Sequence, residues 1–147
     1  MISKHISYKE ATFSNTAVRK GIDNTPNADQ LANMKLLAEM VFEPLRIWYG
    51  KPIKISSFFR SKALNKAVGG SFTSQHVTGQ AIDIDRDLDN KRLFDYICTK
   101  LKFTQLIWEF GNDENPDWIH ISYDKNNLKG EILRAIKNGS KTHYIRL

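Results

Sequence analysis

The chain has 147 residues, 41% of them hydrophobic and 26% charged, with a net charge of +6. That length suits one domain with a sizeable core, and that balance excludes a disordered polymer. No apolar run approaches the ~20 residues needed to cross a bilayer, and the one cysteine, Cys98, excludes both an internal disulfide and a cysteine-rich metal site.

The basic residues are dispersed, without an Arg/Lys stripe interleaved with aromatics, so nucleic acid is not expected as a partner. A positive surface would instead suit an anionic cell envelope. Met1-Ile2-Ser3-Lys4-His5 is not followed by an apolar stretch, so no Sec-type leader is visible at this start.

In chain order, residues 1–26 read as irregular, with scattered Ser, Thr and Asn and with Pro26 closing the stretch. Asn27 can cap a helix over 27–49, whose apolar face is Leu31, Met34, Leu37, Ala38, Val41, Phe42 and Leu45. Pro44 is placed to kink it, and Gly50-Lys51-Pro52 to end it. Ile53 to Phe58 alternates as a strand, and a short helix over roughly 62–68 precedes Gly69-Gly70.

Ala81-Ile82-Asp83-Ile84-Asp85 reads as a strand, 89–101 as an amphipathic helix, and 105–110 and 118–123 as two further strands. Within 126–147, a hairpin across Asn138-Gly139 or a helix–strand pair is expected. The pattern predicts a single α+β domain over 1–147, a small antiparallel sheet flanked by helices. Cys98, on the 89–101 helix with no histidine at a suggestive spacing, reads as a buried structural thiol rather than a nucleophile.

The chemistry concentrates in 53–123. Alternation sets Asp83 on the face opposite Ile82 and Ile84, together with Asp85. It likewise sets His120 opposite Ile119 and Ile121, beside Trp118 and Ser122. A strand that directs carboxylates to one face either exposes that face or lines a polar site with it. With His76 on the preceding loop, His76, Asp83 and His120 supply two imidazoles and a carboxylate. Such a set suits Zn²⁺ and leaves a fourth position open for water. Asp85 competes with Asp83 for the ligand role. A general base must lie near the metal without binding it, and Asp117 is the candidate. In a regular strand Asp117 would face away from His120, so a bend near Pro116 is required to bring it round.

Ser74-x-His76-x-x-Gly79-x-Ala81-x-Asp83 followed by Asp117-x-x-His120 resembles the paired signature of the M15 zinc peptidases. That family comprises D-alanyl-D-alanine carboxypeptidases and dipeptidases and the related L-alanyl-D-glutamate endolysins of phages. Its fold and metal ligands are similar to those of the hedgehog signalling domain and lysostaphin-type peptidases. The resemblance implies His76, Asp83 and His120 as ligands and Asp117 as the catalytic acid or base. Ser56-Ser57-Phe58-Phe59-Arg60-Ser61 resembles the family's upstream arginine segment, which implies that Arg60 meets the substrate or polarises its carbonyl.

The implied function is zinc-dependent hydrolysis of an amide in peptidoglycan stem peptides, by a monomer with no transmembrane segment. A phage or prophage lysis setting is expected, with synthesis in a cytoplasm and action at the wall or periplasm after release. The alternative is a non-catalytic, zinc-containing binding domain of the hedgehog-like type.

Overall fold

The computed structural model describes residues 1–147. A six-stranded sheet in the order β1-β2-β4-β3-β5-β6 runs through it. Its strands are β1 (Lys54–Ser57), β2 (Ala81–Asp85), β3 (Gln105–Glu109), β4 (Trp118–Ser122), β5 (Glu131–Asn138) and β6 (Lys141–Arg146). All neighbours are antiparallel except β3 and β5, which pair in parallel. The fold is therefore α+β with a mostly antiparallel sheet.

Residues 1–26 are more regular than their composition suggests. They contain α1 (Tyr8–Thr12) and α2 (Asn15–Lys20). Ser7 and Ser14 each cap one of these helices, accepting from the N–H groups of Glu10 and Ala17, and Gly21 ends α2 in the left-handed region. Helices of five and six residues carry too little periodicity to be read from sequence.

The next run is α3 (Ala28–Leu37), one π-helical turn (Ala38–Phe42) and α4 (Glu43–Tyr49). Asn27 and Gln30 cap each other's backbone N–H reciprocally. Instead of a sharp kink, the π turn precedes Pro44 in the second position of α4, where its missing N–H and fixed φ are best tolerated. Ser3 Oγ donates to Glu43 Oε2 at 2.7 Å, and His5 Nδ1 lies 2.6 Å from Glu43 Oε1. This ties the start of the chain to the first residue of α4 and gives His5 a structural role.

The sheet register sorts side chains between two faces. Ile82, Ile121 and Leu106 lie in one row, and Ile84, Ile119 and Trp108 in the next. These rows bury against Met34, Leu37, Phe42 and Leu45, and against Leu93 and Ile97 of α6 (Asn90–Lys100). Each such side chain contributes on the order of 1.5–3 kcal/mol by leaving water. The opposite face carries Asp83, His120 and their neighbours. α5 (Lys62–Ala67) flanks this side after β1, capped by Ser61.

At the C-terminus the hairpin forms, with Gly139 at φ +65° in the turn and Asn138 retained as the last residue of β5.

Gly79 shows how tightly the helical layer holds the loop before β2. Its φ is +77°, and an added Cβ would lie 2.5 Å from the Gln30 carbonyl oxygen and 2.9 Å from Met34 Cγ. Gly79→Ala combines left-handed strain with a backbone clash. It should destabilise the protein by about 2 kcal/mol or more in urea unfolding, whereas Gly130→Ala, with nothing within 4 Å, should lose only the strain contribution.

Candidate metal centre

His76, Asp83 and His120 meet at the floor of a cleft on the polar face of the sheet. Asp83 and His120 are directly opposite each other across β2 and β4. His76 reaches them from the loop before β2, and one ligand atom from each of the three lies within 4.8 Å of the others. His76 Nε2 is 3.2 Å from Asp83 Oδ2, and His120 Nδ1 is 2.9 Å from Asp83 Oδ1. Asp85 does not compete. Its Oδ1 accepts from the Asp87 N–H and from Asn90 Nδ2, which fastens the entry to α6.

The protonation of His76 follows from its other nitrogen. Nδ1 lies 2.7 Å from the Phe58 carbonyl oxygen, an acceptor without a proton, so Nδ1 must be the donor. In neutral imidazole that leaves a bare lone pair on Nε2. Nε2 is buried without a hydrogen-bond partner and faces the Asp83 carboxylate.

Burial pushes His76 below its ordinary pKa, against the pull of Asp83 in the other direction. For Asp83, burial alone would raise the carboxyl, yet His76 and His120 hold it well below the usual carboxylate range. Two acceptors facing each other in a dry site call for a cation between them. The donor set of two imidazoles and a carboxylate suits zinc.

The carbonyl that orients His76 depends on the first half of the chain. Asn24 Nδ2 donates to the carbonyls of Thr12 and Phe59, while its Oδ1 accepts from the Ser61 N–H at 2.7 Å. The Phe59 N–H donates to the Ala11 carbonyl of α1. From α3, Gln30 Nε2 and Asn33 Nδ2 donate to the carbonyls of Val77 and Thr78, holding the other side of the His76 loop. The first fifty residues carry no catalytic motif, but they set the position of one ligand.

Arg60 is in the cleft. Its Nη2 lies 3.4 Å from Asp83 Oδ2, Nε donates to Ser57 Oγ and Nη1 to Asn65 Oδ1. Every guanidinium nitrogen thus has a protein partner. Its immediate effect is to hold a positive charge beside Asp83.

Asp117 is not brought to the centre. β4 keeps an unbroken register with both neighbours from Trp118 onward, and the irregular segment before it does not turn Asp117 into the cleft. Asp117 is exposed, lies outside the residues lining the cleft, and engages its surroundings through its backbone. Its N–H donates to the Glu109 carbonyl, and its own carbonyl accepts from Asn90 Nδ2.

The carboxylate that does face the centre is Glu109 of β3. Directly opposite Trp118, it shares the polar face with Ile107, which is opposite His120. Glu109 is 7% exposed and lines the cleft with Arg60, His76, Asp83 and His120. Burial pushes its pKa up to about 7; Asp83 adds to the rise, while His120 and Arg60 oppose it. A carboxylate poised near neutrality beside a metal centre, and not among its ligands, has the properties of a general base. The sequence carried a signal for it, a lone carboxylate inside the apolar strand Gln105–Phe110. That is the same signal by which Asp83 stood out.

The cleft encloses about 590 Å³, and its outer walls include Gln105, Phe110, Trp118 and Tyr144. The sequence model of the family described as Peptidase M15 matches residues 4–122. No curated protein matches the chain.

Glu109 carries a stability cost that can be measured. Its folded pKa of about 7 lies above its ordinary 4.5, so between those values the folded state keeps a proton that the unfolded chain has released. Its effect is therefore to lower stability as pH rises from 4.5 to 7. Metal-free Glu109→Gln should be more stable than metal-free wild type at pH 8, by on the order of 3 kcal/mol. The difference should close by pH 4, as read by urea unfolding at the two pH values.

Proposed function

The chain belongs to the peptidase M15 family, and from that premise we propose that it is a zinc-dependent peptidase that cleaves an amide bond in peptidoglycan stem peptides. The observation that carries the metal assignment is the pair of buried acceptors, His76 Nε2 and Asp83 Oδ2, facing each other at 3.2 Å. His76, Asp83 and His120 are the ligands in this reading. Zinc held there supplies Lewis acidity, which activates water and polarises the scissile carbonyl.

The remaining work falls to the protein's own side chains. Glu109 takes the proton of the attacking water and returns it to the nitrogen of the leaving amine, a two-way transfer suited to a carboxyl near neutrality. Arg60 places a positive charge beside Asp83 and orients its carboxylate. The walls of the cleft exclude bulk water from one side of the substrate, which strengthens each of these interactions.

The cell-wall substrate follows from the family and not from the ligands. Release of a terminal D-Ala and cleavage between L-Ala and D-Glu are its two forms, and a phage or prophage lysis enzyme is the setting that matches the basic charge. The chain acts as a monomer on a peptide in this reading. No helix in the structure is long and apolar enough to cross a membrane.

The test is to digest purified peptidoglycan with zinc-loaded protein and identify products by mass spectrometry. Wild type should release peptide fragments whose masses name the bond cut. His120→Ala should lose bound zinc and activity together. Glu109→Gln should retain zinc and lose activity by at least about 10²-fold, while Asp117→Asn should stay within about twofold of wild type. Zinc binding without any cleavage would support the non-catalytic, hedgehog-like alternative. An inactive Asp117→Asn beside an active Glu109→Gln would return the base to Asp117.

A further inference from the structure

The hairpin β5–β6 lies beyond residues 4–122, the span matched by the family, yet it forms one wall of the cleft. The register shows how. Trp118, Glu109, Ala135 and Tyr144 are successive partners across β4, β3, β5 and β6. Directly paired residues project to the same face of a sheet, so Tyr144 stands on the face that carries Glu109, His120 and Asp83. Two strand spacings, about 10 Å, separate the backbones of Glu109 and Tyr144. The residue between them is Ala135, which is fully buried, so neighbouring side chains close over its methyl group.

Arg60, just after β1, and Tyr144, on β6, are donors that line the cleft from the two edges of the sheet. Arg60 already donates to Ser57, Asn65 and Asp83. The Tyr144 phenol has no such partner, and the residue, 56% exposed overall, is among those lining the cleft. We infer that Tyr144 is a further catalytic residue, whose hydroxyl donates a hydrogen bond to the oxygen of the scissile carbonyl as water adds to it. This rests on the peptidase reading given above.

The step needs no other reactant. As the new C–O bond forms, the π electron pair of the carbonyl moves onto its oxygen. The Tyr144 O–H donates to that oxygen and keeps its proton, and the pair returns when the C–N bond breaks. Burial raises the hydroxyl's pKa, and the carboxylates of Glu109 and Asp83 raise it further, so it stays a donor through neutral pH. A donor aimed at charge that develops only in the transition state accelerates the reaction more than it tightens substrate binding.

The test compares zinc-loaded wild type with Tyr144→Phe, which removes one oxygen and leaves the ring. Three quantities are read: kcat and KM on muropeptides, zinc content, and affinity by calorimetry for a phosphinate that replaces the amide cleaved by wild type. Tyr144→Phe should lower kcat on the order of 10²-fold, leave KM within about twofold and zinc content unchanged, and weaken phosphinate binding by a factor similar to the kcat loss. His143→Ala and Ile145→Ala, on the other face of β6, should match wild type.

Wild-type kcat in Tyr144→Phe would overturn the inference and leave the peptidase reading intact. So would a loss shared equally by His143→Ala, or one accompanied by loss of zinc, since either marks a structural role. A wild-type chain that neither cleaves muropeptides nor binds the phosphinate would overturn the peptidase reading and this inference with it.

Discussion

Two hydrogen-bond acceptors, His76 Nε2 and Asp83 Oδ2, are held 3.2 Å apart in a site almost closed to water. Because Nδ1 of His76 is committed to the Phe58 carbonyl, the imidazole cannot relieve this contact by changing tautomer. It is relieved by protonating a buried ring or by placing a cation between the two atoms. Protonation is disfavoured, since burial pushes His76 below its ordinary pKa. Much of the fold serves to hold that arrangement. Asn24 clamps the segment that supplies the carbonyl, α3 clamps the loop that supplies the imidazole, and Arg60 lies against the carboxylate.

The two faces of the sheet divide the labour. Paired isoleucines on β2 and β4 bury against the helices and fix the register, and the register fixes which polar residues meet on the other side. A slip of one residue would turn Asp83 and His120 into the core. The stability of the apolar face is therefore what allows several costly groups to remain on the polar face. Among these, Glu109 stands buried with a pKa near 7, a condition that lowers stability at neutral pH and suits proton transfer.

Much of this was legible in the sequence wherever a periodic pattern and a chemical exception coincided. Asp83 and His120 interrupt alternating strands, and the structure sets them directly opposite each other. Asn27 announced its helix through a cap that the structure contains. The two short N-terminal helices were not legible, because five or six residues complete too little of the helical period. Nor was the parallel pairing of β3 with β5, which depends on where a connection of several residues leads and not on either strand's pattern.

Asp117 illustrates a different limit. Spacing from His120 placed it near the centre along the chain, but the segment leading into β4 leaves its side chain exposed. Glu109 is remote from His120 in sequence and close only through the pairing of β3 with β4. Sequence spacing measures distance along one strand, whereas a site on a sheet is assembled across strands.

The central claim is that a metal ion sits among His76, Asp83 and His120 with room left for a substrate. X-ray diffraction at the zinc absorption edge, on crystals grown from zinc-loaded protein, tests it most directly. One strong anomalous peak is expected, bounded by Nε2 of His76, a carboxylate oxygen of Asp83 and Nδ1 of His120, with no fourth protein ligand. A zinc-loaded crystal with no peak at that position, or with a peak closed by a fourth side chain, would contradict it.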